Sequence, residues 1–297
     1  MPVDRTTTKV TLKHPKGSSV EILLYGASVI SWKAASPNSS EIVERLFVSS
    51  KAFLDGSKPV RGGIPVVFPC FGAPTHPDHL KLSQHGFARS ETWTFDSVVM
   101  DNEAGVSVRF TLDPTSSIIA KYDKPFHLAY VVTLAEHQLS TDLHVKNISA
   151  ASAPSATPLE FQALFHNYIA APANDALIFP LTDKSYFDKT DTSLEGKNAL
   201  KTETRAGVDV TKFTDSVYED AGGKYEVKWP GGGVQVKTNL KDVVVWNPQE
   251  TGASIGDMED GGWLRYVCVE PGHVRGFVSV DPGKEWIGQQ VISVLDH

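Results

Sequence analysis

Cysteine is scarce in this chain. Only Cys70 and Cys268 occur among 297 residues. They lie far apart and lack metal-site spacing, so a disulfide framework is not expected and two reduced thiols are. Long apolar runs are missing as well. Nothing approaches the ~20 residues of a membrane span, so no membrane partner is expected. The first residues, "MPVDRTTTKVTLKH", contain no apolar stretch of signal-peptide type. The expected location is therefore the cytoplasm, and the N-x-S sequons at Asn38 and Asn147 read as chance. There is no basic block and the net charge is −7, which argues against a nucleic-acid partner. It does not argue against a locally basic pocket. No amphipathic helix of three or more turns can be traced; "SSKAFLDGS" at 49–57 is read as one or two helical turns. There is no repeat of fixed period, which disfavours a propeller. No apolar stripe calls for a second subunit, so a monomer is expected.

What is present is alternation. "KVTLKH", "SVEILLYG", "TWTFDSVVM", "VSVRFTLD", "LAYVVTLA", "TDLHVKN", "YEVKW", "GVQVKT" and "DVVVWN" all carry the period of two that marks strands. Turn residues separate them at "PKGS", "DNEAG", "WPGGG" and "DPG". Short connections favour antiparallel pairing. No Ser/Pro linker divides the chain. The nearest candidate, "SAASAPSATP" at 149–158, has strands on both sides and reads as a loop. With 41% hydrophobic and 21% charged residues, the chain can bury a sizeable core. The reading is all-β: one domain over 1–297, built as a large antiparallel β-sandwich.

Several polar groups do not look like core or coat. In "RGGIPVVFPCFG", 61–72, two glycines and two prolines break an apolar run, which excludes a regular central strand. Arg61 leads into it, either as a surface residue or as a ligand group. In "HPDHLKLSQHGFAR", 76–89, His76, His79 and His85 raise the question of a metal. No further ligand stands at the usual spacing, and His76 and His79 look like an exposed loop. Arg89 differs in kind, because a guanidinium forks onto carboxylate or phosphate oxygens. In "LEFQALFHNYIAA", 159–171, one face carries Leu159, Phe161, Ala163 and Phe165. The other carries Glu160, Gln162, Leu164, His166 and Tyr168, either a solvent face or a sugar-binding one. In "WLRYVCVEPG", 263–272, Leu264, Tyr266, Cys268 and Glu270 share a face. Glu270 ends an apolar run, either as a turn carboxylate or as a group aimed into a cleft. Asp215, in "KFTDSVYED", reads as ordinary turn chemistry on its own.

Taken in order, "RGGIPVVFPCFG", "QHGFAR", "FHNYI", "FTDSVY", "VVVWNP" and "CVEPG" resemble the hexose mutarotases, or aldose 1-epimerases. They most resemble the branch acting on hexose 6-phosphates, the glucose-6-phosphate 1-epimerases. The resemblance implies the galactose-mutarotase-like supersandwich. It implies His166 as catalytic acid and Glu270 as catalytic base, with Gln84, His85 and Asp215 contacting the sugar and Arg61 and Arg89 the phosphate. Ser83 stands where the pattern has proline, which alters the stiffness of that loop rather than its chemistry. The implied partner is a small hexose 6-phosphate, chiefly glucose 6-phosphate, and neither a metal nor an organic cofactor is required. The implied reaction interconverts α and β anomers by ring opening and closure. It wants His166 protonated near neutral pH, with Glu270 and a bound phosphate dianion expected to raise its pKa. The rival readings are an epimerase of unphosphorylated sugars, a non-catalytic carbohydrate-binding sandwich, and a paired-carboxylate glycosidase, against which a His/Glu pair argues.

Overall fold

The computed structural model describes residues 2–150 and 157–296. Among them the chain forms three sheets whose ladders are all antiparallel. Each of the nine stretches read from their alternation forms most of a strand, some running a few residues past its ends. In Gly105–Leu112 the side chains of Val106, Val108, Phe110 and Leu112 enter the core, while Arg109 and Thr111 stay half-buried. That is the outcome period two demands of a strand.

The first sheet is a meander of Val3–Arg5, Lys9–Lys13, Ser19–Leu23, Val29–Ala34 and Val43–Glu44. The second has eight strands. Gln138–Asn147 and Glu285–Val294 pair at its centre, and Thr94–Asn102 and Leu177–Phe179 form its edges. The third, also of eight strands, is centred on the long strand Tyr266–Val280. Asp242–Asn247 pairs with that strand on one side, and Leu159–Phe165 and Tyr168–Ala170 on the other. One apolar cluster joins all three sheets, with Trp32 from the first, Phe110 and Tyr130 from the second, and Phe161, Val245 and Val269 from the third.

The opposite face of the third sheet carries the polar groups singled out above. Its register sets them in two cross-strand rows. Val217 pairs with Val244, and Val244 with Glu270; beside that row Asp215 pairs with Trp246, Trp246 with Cys268, and Cys268 with Tyr168. Side chains of directly opposed residues stand side by side, so two rows of a flat sheet become one wall of a pocket.

Three local expectations need correction. Residues 49–57 form no helix. The Ser49 hydroxyl accepts from the Lys51 and Glu259 amides, and Asp55 accepts from the Ser57 amide. These side-chain bonds offer the backbone an alternative to helical ones. Asp215 does not sit in a turn but within the strand Thr214–Tyr218. His76 and His79 are not an exposed loop: His79 is buried at the end of a short 3-10 turn, its ring 4.8 Å from that of His76. The loop expected at 149–158 lies largely outside the described residues. Asn147, one of the two sequon asparagines, is buried and donates to the carbonyls of Thr157 and Val280. The α-helices among the described residues are single turns, Ser116–Ile119 and Leu194–Asn198, and no helix is long and apolar enough to cross a membrane.

Candidate active site

A cavity of about 540 Å³ opens over the third sheet. All seven residues singled out for a site line it: Arg61, Gln84, His85, Arg89, His166, Asp215 and Glu270. They come from five separated stretches of chain, so their meeting is a property of the fold and not of local sequence.

His166 owes its place to a break in pairing. Leu159–Phe165 ends just before it, and pairing resumes at Tyr168, opposite Cys268. Continuing that register back by two residues sets His166 beside Glu270. Asn167, fully buried between them in sequence, points the other way. Its amide donates to the Val269 carbonyl and exchanges hydrogen bonds with the buried Gln290 amide on the second sheet. The break is thereby held from below while the imidazole faces the pocket. The ring stacks on Tyr168 with centroids 4.7 Å apart and planes 8° from parallel, and Trp246 meets it edge-on.

His166 Nδ1 lies 3.6 Å from Glu270 Oε1, too far for a hydrogen bond. Nδ1 of His166 and Oε2 of Glu270 are buried without a hydrogen-bond partner among the described residues. Burial first, then His85, Arg89 and Arg61, holds the imidazole well below its ordinary pKa. Burial first, then Asp215, drives the Glu270 carboxyl well above the ordinary carboxylate value. Both partners therefore favour their neutral forms, with one proton on the pair, carried by Glu270. This corrects the expectation that Glu270 raises the histidine: among the protein's own groups, desolvation and three positively charged or titratable neighbours prevail.

The "LSQHGFAR" loop supplies one rim. His85 adopts a left-handed backbone, φ 68°, followed by Gly86 at 71°. A non-glycine residue held there is uncommon and marks a constrained position. His85 and Gly72 clamp each other: the His85 amide donates to the Gly72 carbonyl at 2.9 Å, and the Gly72 amide donates to His85 Nδ1 at 3.2 Å. An accepting Nδ1 fixes the neutral tautomer with its proton on Nε2. Burial, then Arg89 and Arg61, lowers this imidazole to about 3. His85 faces His166 and Phe71, whereas His76 and His79 pack on Phe277 and bond Glu160. The three histidines do not form one group.

Arg61 and Arg89 come together on the same rim, each within electrostatic reach of the other. Neither is a free fork. Arg61 donates from Nε to Asp257 at 3.0 Å and from a terminal nitrogen to the Tyr168 hydroxyl at 3.2 Å. Arg89 donates to the Gln84 carbonyl at 2.9 Å, and its Nε is buried without a partner. Asp215 stands on the far side near Lys189, its carboxyl pushed up to about 6, by burial first.

Sequence reasoning assigned no role to Cys268, Trp246, Asp257, Lys189 or Arg275, and placed Tyr168 only on a row that faces solvent or sugar. Tyr168 and Cys268 were legible, since they alternate with His166 and Glu270. Asp257 was not, because it stands in irregular chain. Gln162 read as part of a sugar-facing row, but its amide is spent on Phe71, Val274 and Gly276. It shapes the pocket wall from behind.

Comparison with known proteins bears on the fold and the family. A curated relative from Cenchrus ciliaris, 29% identical over 97% of this chain and 84% of its own length, is named "Putative glucose-6-phosphate 1-epimerase". A relative of the same name from Escherichia coli is 27% identical over 88% of this chain and 81% of its own. Among solved structures, the YeaD protein of Salmonella typhimurium superposes with a TM-score of 0.84 at 20% identity, covering 99% of this chain and 93% of that one. The Slr1438 protein of Synechocystis gives 0.78 at 17% identity, covering 100% and 98%. The galactose mutarotase-like fold is thus shared. The family model described as aldose 1-epimerase matches residues 8–293, and the chain belongs to the aldose 1-epimerase family.

Proposed function

We propose that this chain, acting as one domain and a monomer, interconverts the α and β anomers of hexose 6-phosphates, chiefly glucose 6-phosphate. The observation that carries the reading is the placement of Arg61 and Arg89 on the rim of the cavity whose floor holds His166 and Glu270. The names of the curated relatives support the same substrate. A phosphorylated hexose is an intracellular metabolite, which fits the cytoplasmic expectation.

Glu270, as carboxylate, takes the proton of the C1 hydroxyl as the C1 carbonyl forms. The C1–O5 bond breaks, and protonated His166 donates its proton to O5. Rotation about C1–C2 presents the other face of the aldehyde, and the ring closes with the roles reversed. The pair carries one proton throughout: after ring opening it sits on Glu270, which is also where burial favours it. Moving it to His166 readies the pair for the cyclic sugar. A phosphate dianion beside Arg61 and Arg89 cancels the charge that depresses the imidazole, so binding promotes that transfer. General acid–base catalysis of this kind contributes about 10²–10⁴ per group.

Asp215 accepts from a sugar hydroxyl, and Gln84 and His85 Nε2–H supply further polar contacts. The phosphate does not react, so Arg61 and Arg89 position the sugar and select it. Asp257, Tyr168 and the Gln84 carbonyl hold the two guanidinium groups in place, so little side-chain freedom is lost when phosphate binds.

Exchange between anomers, followed on the C1 proton resonances at equilibrium, tests the reading. Faster exchange of glucose 6-phosphate than of glucose, lost in Glu270→Gln, is the expected result. Equal acceleration of both sugars would keep the catalytic pair but remove the phosphate role of the arginines. Binding without acceleration would favour a carbohydrate-binding module.

A further inference from the structure

The reaction leaves Cys268 unused, yet it is the nearest soft ligand to both catalytic groups. It precedes Glu270 by two residues on the same strand face and is fully buried. One donor atom each from His166, Cys268 and Glu270 lie within 4.8 Å of one another. The thiol is free, and His166 Nδ1 and Glu270 Oε2 have no hydrogen-bond partner. Buried polar atoms are almost always satisfied. Two residues with orphaned atoms, grouped with a free thiol, are an unusual combination that a cation would resolve.

We propose that His166, Cys268 and Glu270 form a three-ligand site for a thiophilic divalent cation, with Zn²⁺ the best fit, and that its occupation silences the catalytic pair. The donor set of one nitrogen, one sulfur and one carboxylate oxygen suits this borderline-soft ion and not the oxygen-seeking Mg²⁺ or Ca²⁺. Tetrahedral zinc with bonds of about 2.0–2.3 Å keeps its ligand atoms about 3.5 Å apart, so donor atoms within 4.8 Å of one another close by about 1.3 Å at most. Glu and His side chains cover that by small χ rotations. His166 and Glu270 also line the cavity, which leaves a fourth position for water. Among the described residues no carboxylate or carbonyl orients His166 through a ring hydrogen bond, the support a resident metal centre ordinarily has. The site is therefore a reversible inhibitory one, and zinc and sugar phosphate exclude each other because both need the same two groups. This consequence rests on the proposed function; the metal site itself does not.

Metal-free protein titrated with Co²⁺ is the direct test, because a cobalt–thiolate bond gives a charge-transfer band that nitrogen and oxygen ligands do not. One cobalt per chain with that band, displaced by Zn²⁺, is expected. Cys70→Ser keeps the band and Cys268→Ser loses it, with zinc affinity falling at least tenfold. Cys268→Ala serves as a second variant, and circular dichroism confirms that each is folded. In parallel, zinc slows glucose 6-phosphate exchange competitively in the wild type and much less in Cys268→Ser, each protein being compared with its own metal-free rate. No thiolate band, or a band unchanged by Cys268→Ser, overturns the site. Binding with the band intact but no effect of zinc on measured exchange overturns the inhibition. A wild type that binds cobalt through Cys268 yet exchanges no sugar sinks the proposed function and leaves the metal site standing.

Discussion

Tyr168 touches both halves of the proposed chemistry. Its ring stacks on His166 and its hydroxyl accepts from Arg61. Tyr168→Phe keeps the stack and removes the hydrogen bond, leaving Arg61 fixed by Asp257 alone. A hydrogen bond to a charged group contributes about 1.5–3 kcal/mol, part of which water recovers at a pocket rim. The expected result is a rise of about three- to tenfold in KM for glucose 6-phosphate, with kcat nearly unchanged and glucose exchange unaffected. An equal fall in kcat for both sugars would show that the hydroxyl serves His166 instead. Asp215 gives a second readout. With its carboxyl at about 6, it accepts a sugar hydroxyl bond as a charged carboxylate only above that pH. The pair itself keeps its single proton between the depressed value of His166 and the raised value of Glu270. Beyond the titration of the sugar phosphate itself, which also falls at about 6, an acid limb in kcat/KM therefore belongs to Asp215, and Asp215→Asn, though slower, should lose that part of it. A limb as steep in the variant as in the wild type would remove Asp215 from it.

At the scale of elements, alternation told which residues face the pocket but not how strands meet. Glu270 on the face of Cys268, and His166 on that of Tyr168, followed from period two alone. The register that makes Cys268 the partner of both Trp246 and Tyr168 did not, since pairing between strands that no tight turn joins leaves no local trace. The break at His166 was hidden for a related reason: it is enforced by Asn167 reaching Gln290 on the other sheet. The turn signal in "TDS" misled likewise, because Asp215 gains its place from a strand neighbour, Trp246. The Asn167 bridge predicts its own test. Asn167→Ala leaves the Gln290 amide buried and unpaired, which costs about 1–3 kcal/mol. Denaturant unfolding should show that loss, and exchange activity should fall as well because His166 is no longer anchored. Asn167→Leu combined with Gln290→Leu should restore part of the stability and little of the activity. Full activity in Asn167→Ala would separate the bridge from the site.

For the whole molecule, the pocket's chemistry has a consequence for stability against pH. Burial holds four imidazoles below their ordinary value: His79 at about 4, His85 at about 3, His166 and His273 by direction. Each stays neutral in the folded chain where the unfolded chain takes up a proton, beginning near the usual 6.5. Stability is therefore lost as pH falls through that value. Two carboxyls act in the opposite sense. Asp215, at about 6, takes a proton in the folded state before the unfolded state does, and Glu270 already holds one at neutral pH. Glu203, held at about 2 by Arg205 and Tyr218 against its burial, contributes only below the ordinary carboxylate range. Between pH 7 and pH 5 the unfolded chain thus comes to hold up to four histidine protons that the folded chain lacks, while the folded chain holds two, on Asp215 and Glu270, that the unfolded chain lacks. The imbalance favours unfolding, so the melting temperature should be several degrees lower at pH 5 than at pH 7. Removing one contributor distinguishes this cause from a general charge effect. His79 lies outside the pocket, and His79→Gln should flatten the slope between pH 7 and pH 5 without moving the acid limb of exchange. A melting temperature that is level or higher at pH 5 would mean that the buried histidines take up protons in the folded state, and the neutral His166–Glu270 pair would fail with them.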